Sequence, residues 1–280
     1  MPTGWTPIQM KRLRELNANE EQQNGSFPTS CDRNRAFQEL EDLLVRRGKQ
    51  RLDEMRNSTR RPALCRLESQ LTEALIQSGF VQVITPTILS KGLLAKMSVT
   101  EDHPLAAQVF WLGENKCLRP MLAPNLYFIL KDLIRIWEKP VRIFEVGSCF
   151  RKESQGAIHL SEFTMLDLVE MGLSEEDRQQ HLEQFTAVVM EAAGIRDYRL
   201  SPSESEIYGT MTDIEAGVNR IEVGSAAIGP HSLDRAWGIV SPWVGIGFGL
   251  ERLLMARENT NNLKSLSKSL AYLDGVRLNI

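Results

Sequence analysis

The spacing of apolar and polar residues changes several times along this chain, and each change predicts an element. In RPALCRLESQLTEALIQSGF, Arg61 to Phe80, apolar residues recur every three or four positions, which predicts a long amphipathic helix. It leads into VQVITPTI, Val81 to Ile88, which reads as a strand. From Arg142 to Val169, two alternating apolar stretches flank the polar, glycine-containing Lys152 to Ile158, and this predicts a long antiparallel hairpin. SEEDRQQHLEQFTAVVMEAAG, opened by Ser174 as cap and closed before Gly194, predicts another amphipathic helix. A further strand is expected in IEVGSAA from Ile221, with AGVNR before it as an extended hairpin turn. Gly245, Gly247 and Gly249 alternate along a strand that turns directly into the helical pattern LERLLMAR. The first sixty residues read as polar and helical, with a loop from Asn17 to Thr29 where Asn, Gln, Gly, Ser and Pro cluster. Helices alternate with hairpin-linked strands, so the expected class is α+β: a mainly antiparallel sheet flanked by helices, not a Rossmann arrangement. Residues 1–60 are expected to form a helical N-terminal extension and 61–280 the main domain.

Composition narrows this picture only a little. With 280 residues, 42% hydrophobic and 25% charged, the chain can bury one substantial core. No apolar run approaches membrane-spanning length and the first residues lack a signal-peptide apolar core, so a soluble cytoplasmic protein with no membrane partner is expected. Cys31, Cys65, Cys117 and Cys149 lie far apart with no CxxC pair, which suggests neither zinc nor a disulfide framework. Net charge is −3, yet Arg46 to Arg66 holds eight basic residues against Asp53 and Glu54. Such a run is either a solvated helix face or a phosphate-binding patch.

The candidate chemistry centres on the glycines and the hairpin. A strand face without side chains lets a flat ligand lie on the backbone, and Arg252 follows immediately; close packing against a neighbouring element is the alternative. Neither GxGxxG nor GxxxxGK is present. Arg151 and Glu153, two apart, project from one face of the hairpin's first strand. They suit a phosphate or carboxylate and an exocyclic amine, or else a surface ion pair. His159 and Phe163 follow on the returning side, and Phe163 can stack a base or fill a core.

FRKE at Phe150 to Glu153, the hairpin after it, and GxGxGxER at Gly245 to Arg252 resemble the second and third signature motifs of class II aminoacyl-tRNA synthetases. The helix leading into VQVITPTI resembles the first, with Pro86 where the class has a dimer-interface proline, which implies a homodimer. Within the class, LRPMLAPNLY, FRKES, EFTML, AIGPHSLDRAWGI and GFGLERLL resemble the pyrrolysyl-tRNA synthetase family, in its short form without a separate N-terminal tRNA-binding domain. The similarity runs from about Arg61 to the C-terminus.

The resemblance implies ATP and Mg²⁺ as cofactors, a pyrrolysine-type cognate tRNA, and an aminoacyl adenylate intermediate. It assigns Arg151 to the α-phosphate and the substrate carboxylate, Glu153 to the adenine amino group, and Phe163 and Arg252 to the two adenine faces. His159 and Arg252 would reach the outer phosphates, Gly249 would line the ATP site, and Glu222 with Ser225 would hold the metal. The amino-acid pocket would comprise Met121, Ala123, Leu126, Tyr127, Leu130, Val169, Trp243 and Gly245, capped by Tyr208. For a tRNA-using family the basic run becomes a phosphate contact, with Arg46, Arg47, Lys49 and Arg51 as its centre and Lys11, Arg12 and Arg14 as an extension.

Asp167 departs from the family. TMLD stands where the family has TMLN, whose amide donates to the carbonyl of the substrate's side-chain amide. An ionised aspartate has no donor to offer. The resemblance therefore implies as substrate pyrrolysine or another bulky lysine or phenylalanine derivative, such as one presenting an N–H or O–H to Asp167. Two other classes remain: a synthetase paralogue acting as a binding or regulatory subunit, and an adenylate-forming amide synthetase. Such paralogues usually lose motif arginines or the metal carboxylate, whereas Arg151, Glu222 and Arg252 are all present.

Overall fold

The structure is a computed structural model that describes residues 3–152, 160–260 and 262–280. Seven helices matter to the site: α1 (Pro7–Glu15), α2 (Ser30–Glu54), α3 (Ala63–Gln77), α4 (Pro104–Gln108), α5 (Ala123–Ile136), α6 (Arg178–Ala192) and α7 (Leu250–Glu258). The seven strands of the main sheet are β1 (Val81–Gln82), β2 (Val141–Phe150), β3 (Glu162–Met171), β4 (Tyr198–Ser205), β5 (Gly209–Ala216), β6 (Ile221–Gly229) and β7 (Trp243–Gly249). Their order is β1-β2-β3-β7-β6-β5-β4, with every pair antiparallel except β1 and β2.

Alternation along the central strands separates core from site. Leu166 and Leu168 of β3 and Val244, Ile246 and Phe248 of β7 point to one face. There they meet Leu67, Leu71 and Leu75 of α3, Phe185 and Val189 of α6, and Leu253 and Leu254 of α7 in one buried cluster. The i, i+4 spacing of the α3 leucines puts all three on a single stripe. The opposite face of the same strands carries Phe163, Met165, Asp167, Val169 and the three alternating glycines, and it is the floor of the site described below.

Local departures from the sequence pattern have local causes. Val81 to Ile88 does not form one strand: after Gln82 the chain leaves the sheet, and a separate short strand, Ile88–Ser90, pairs elsewhere. Pro86 has no N–H for a ladder, and its carbonyl instead accepts from Asn125 Nδ2 at 2.9 Å. Ser174 does not cap α6, which begins at Arg178; its hydroxyl accepts from the Asp177 N–H and donates to that side chain, closing a turn before the helix. The Asn17 to Thr29 loop contains one helical turn, Glu20–Gln23, closed by reciprocal Asn19 and Gln22 bonds. AGVNR does form the β5–β6 turn, with Gly217 and Arg220 at φ 73 and 47.

At the N-terminus, Leu13, Ala18 and Leu44 form a small cluster with Trp5, Leu16, Phe37 and Leu40 around it. Asn17 Nδ2 donates to the Gly275 carbonyl, and Arg51 pairs with Glu258 at 3.2 Å, so these helices rest on the C-terminal segment and α7. No helix among the described residues is long and apolar enough to cross a membrane. All four cysteines are free; Cys117 and Cys149 are buried, and burial pushes the Cys117 thiol up to about 11.

Candidate active site

Two cavities lie side by side on the open face of the sheet, with β7 running under both. The first, of about 250 Å³, is lined by every residue expected in the amino-acid pocket: Met121, Ala123, Leu126, Tyr127 and Leu130 from the α5 region, Asp167 and Val169 from β3, Tyr208, and Trp243 and Gly245 from β7. The second, of about 280 Å³, is lined by Phe163, Glu222, Ser225, Gly249 and Arg252. Arg151, Met165, Ser225 and Gly247 border both, so the two form one continuous cleft. Glu153 and His159 lie outside the described residues.

Arg151 is held at the junction. Its Nε donates to the Pro120 carbonyl at 2.9 Å, and its guanidinium lies over the Phe163 ring at 5.3 Å. Arg252, on the first turn of α7, directs Nη1 to the Glu222 carbonyl and carboxylate, both at 3.2 Å. Its neighbour Glu251 is structural: buried, it accepts the Thr164 N–H on both oxygens, which ties α7 to β3. Burial raises the Glu251 pKa, and the hydrogen bonds to it only partly offset that.

Glu222 and Ser225 are three apart on β6, an odd spacing that regular alternation would put on opposite faces. A β-bulge solves this. Glu215 pairs with Glu222 while Ile214 pairs with Gly224, so Val223 is an extra residue and the strand turns both side chains to the same cavity. One carboxylate and one hydroxyl are hard oxygen donors, which suit Mg²⁺ when substrate phosphates and water complete its shell. Among the described residues no cluster of three or more His, Cys, Asp or Glu side chains could hold a metal unaided.

Asp167 lies in the floor of the first cavity, opposite Glu145 on β2 and Gly247 on β7. It is 8% exposed, and its Oδ1 has no hydrogen-bond partner. Burial first, and the charge of Glu145 second, push its pKa up to about 7, against the opposing pull of Arg151 and Arg119.

Sequence reading missed the scaffold behind these residues. Arg119, 4% exposed, donates to Glu145 at 2.7 Å, to the Thr85 carbonyl and hydroxyl, and to the Ser148 carbonyl at 2.7 Å. Gly147 makes room for it, because a Cβ there would sit 2.0 Å from Arg119 Nη2. Removing one partner of such a buried pair typically costs about 3–5 kcal/mol. Asp234, 2% exposed, accepts from the Tyr127 hydroxyl at 3.2 Å and from Trp243 Nε1 at 2.8 Å, fixing two walls of the cavity. Both residues fall inside the motifs LRPM and HSLDRAW, but no spacing rule separates a buried charge from a surface one.

On the basic run, Arg46, Arg47 and Lys49 are exposed, whereas Arg51 is half-buried in its pair with Glu258. Arg47 and Arg51 are one turn apart and line a crevice with Arg277 and the Gly275 segment. Arg12, in the proposed extension, is paired with Glu41 at 2.7 Å.

The family model described as "tRNA synthetases class II core domain (F)" matches residues 49–275, and the chain belongs to that class of aminoacyl-tRNA ligases. Within the class it falls with the pyrrolysyl-tRNA synthetases. The crystal structure of pyrrolysyl-tRNA synthetase from Desulfitobacterium hafniense superposes with TM-score 0.95 at 55% identity, covering 99% of each chain. Curated relatives are more distant: O-phosphoserine--tRNA(Cys) ligase of Methanoculleus marisnigri is 28% identical over 54% of this chain, and the phenylalanine--tRNA ligase alpha subunit of Methanospirillum hungatei 30% over 47%. Those matches span 29% and 28% of the relatives' own lengths.

Proposed function

We propose that the chain activates pyrrolysine, or a related bulky lysine or phenylalanine derivative, with ATP and transfers it to a pyrrolysine-type tRNA. In the first step a carboxylate oxygen of the amino acid attacks the α-phosphorus and pyrophosphate leaves. In the second, a ribose hydroxyl at the 3′ end of the tRNA attacks the activated carbonyl and AMP leaves. The observation supporting this reading is the position of Arg151: it borders both an apolar cavity suited to a long side chain and a polar one suited to a nucleotide. A cation there stabilises the charge that builds on the α-phosphate.

In this reading Phe163 and Arg252 hold the adenine and Gly249 leaves room for it, while Glu153 and His159 reach the amino group and the outer phosphates. Glu222 and Ser225 would hold Mg²⁺, which neutralises phosphate charge when bound. Pyrrolysine-dependent exchange of pyrophosphate into ATP, followed by charging of the cognate tRNA, tests the assignment. ATP turnover that needs no amino acid, or an adenylate that never reaches tRNA, would rule it out in favour of a regulatory paralogue or an amide synthetase. A tRNA-charging enzyme of this kind works in the cytoplasm.

Two partner surfaces belong to the same proposal. We assign residues 1–60 as a helical extension contacting tRNA, with the main domain from 61 onward. Charge reversal of Arg46 and Arg47 together is expected to abolish the gel-shift with the cognate tRNA and to lower the salt dependence of binding by about two phosphate contacts or more. Amino-acid activation should be unchanged; tRNA binding that survives the reversal would remove the patch from the interface. The second surface flanks Pro86, where Ile84 is 89% exposed, Ile88 51% and Val81 46%. Apolar residues so exposed suit a homodimer contact. Sedimentation equilibrium should find a dimer that Ile84→Asp converts to monomer, and a monomeric parent protein would contradict the assignment.

A further inference from the structure

The β4–β5 hairpin overhangs the sheet. Its β5 strand pairs with β6 only from Thr212 onward, so Gly209 to Met211 and the tip residues Glu206 to Tyr208 join no ladder on that side. The tip is a compact unit, because the Ser205 hydroxyl accepts the N–H groups of both Ile207 and Tyr208 at 3.1 Å. From it Ile207 and Tyr208 project into the amino-acid cavity, and the Tyr208 ring reaches within 6.1 Å of the Trp243 ring and 5.8 Å of His231. Apolar packing of Ile207, Tyr208 and Met211 holds the inner side of this tip, and a polar contact from outside the sheet can fix its outer side.

His103 is placed to do so. It precedes α4 as its N-cap, and its Nδ1 accepts the Leu105 N–H at 3.1 Å. A neutral imidazole has one donor and one acceptor, so an accepting Nδ1 leaves the ring proton on Nε2. That Nε2 is buried, finds no hydrogen-bond partner among the described residues, and lies 3.7 Å from Glu206 Oε2. The His103 side chain is 11% exposed and Glu206 63%, so one end is fixed and the other free to rotate. A buried donor without an acceptor is unfavourable, and a small rotation of Glu206 relieves it.

We propose that His103 is a positioning residue for the amino-acid site: through Glu206 it fastens the hairpin tip against α4 and so holds Tyr208 across the cavity. This rests on the reading of Tyr208 as the substrate cap. The competing role, a helix cap only, is separable by substitution. In His103→Asn the side-chain oxygen still caps α4, because asparagine is among the preferred N-cap residues, but the Nε2 donor is gone. Glu206→Ala removes the other partner at an exposed position where folding is not at stake.

Hydrogen exchange of the tip, followed by mass spectrometry on the free protein, reads the fastening without any substrate. His103→Asn and Glu206→Ala should each speed exchange of the Ile207 and Tyr208 amides by about two- to fivefold, the range for a partly exposed pair. The double variant should exchange no faster than either single one. In pyrrolysine-dependent pyrophosphate exchange the amino-acid KM should rise by a similar factor while the ATP KM stays put. Unchanged exchange at the tip, or a response to His103→Asn alone, would overturn the fastening. Faster exchange with an unchanged amino-acid KM would keep the fastening and instead overturn the reading of Tyr208 as the cap.

Discussion

Arg151→Ala is expected to lower kcat for amino-acid-dependent pyrophosphate exchange by about 10²–10³-fold, the usual loss when one preorganised charge-stabilising donor is removed from a transition state. Arg151 borders both cavities, and the Pro120 carbonyl and the Phe163 ring help to set its direction. Orientation fixed before binding is what makes such a group effective, since nothing has to reorganise as charge develops. Arg151→Lys should recover only part of the loss, because an ammonium cannot bridge phosphate and carboxylate with a planar fork. Thermal unfolding of the alanine variant should stay close to that of the parent. A kcat within about tenfold of the parent would remove Arg151 from the chemical step.

Asp167→Asn is expected to raise kcat/KM for pyrrolysine about tenfold or more at pH 8, and progressively less below pH 7. A carboxyl with a pKa of about 7 is protonated in only about one molecule in ten at pH 8, and only the protonated form has a donor for an amide carbonyl. The parent chain should therefore lose activity as pH rises through 7, while the asparagine variant stays flat. Stability follows the same direction. The folded-state pKa lies above the unfolded one, so the native state holds the extra proton between about 4 and 7, and stability contributed by the neutral group is lost across that window as pH rises. The variant's melting-temperature advantage should grow over that range and level off above it. Identical pH profiles for the two proteins would sink the argument, whereas an inverted parent profile would identify a substrate that donates an N–H or O–H to the aspartate.

Both predictions concern residues that local sequence brought forward, but for different reasons. Arg151 stood out because FRKE precedes a hairpin turn whose partner strand could be read from alternation, and β2 and β3 do pair over their whole lengths. Asp167 stood out only against a family pattern. Its burial, its unpartnered oxygen and its position opposite Glu145 depend on strand register, which alternation alone does not supply. Glu222 and Ser225 mark the limit more sharply: their odd spacing argues against a shared ligand until the extra residue Val223 is seen. Arg119 and Asp234 fall inside motifs and His103 in none, but nothing local marked their roles, since a polar side chain in a sequence looks the same whether water or a carboxylate will surround it.

The sequence by itself determined the class of fold, the hairpin, the glycine strand with its arginine, and the residues lining the amino-acid cavity. The first three follow from periodicity and short motifs, where neighbours along the chain are also neighbours in space, whereas the cavity-lining residues came only through the resemblance to a family. Only the tertiary structure decided which strands lie side by side, how a bulge turns two donors to one cavity, and which charges are buried. Desolvation and long-range pairing act between residues far apart in the chain, and local pattern holds no record of them.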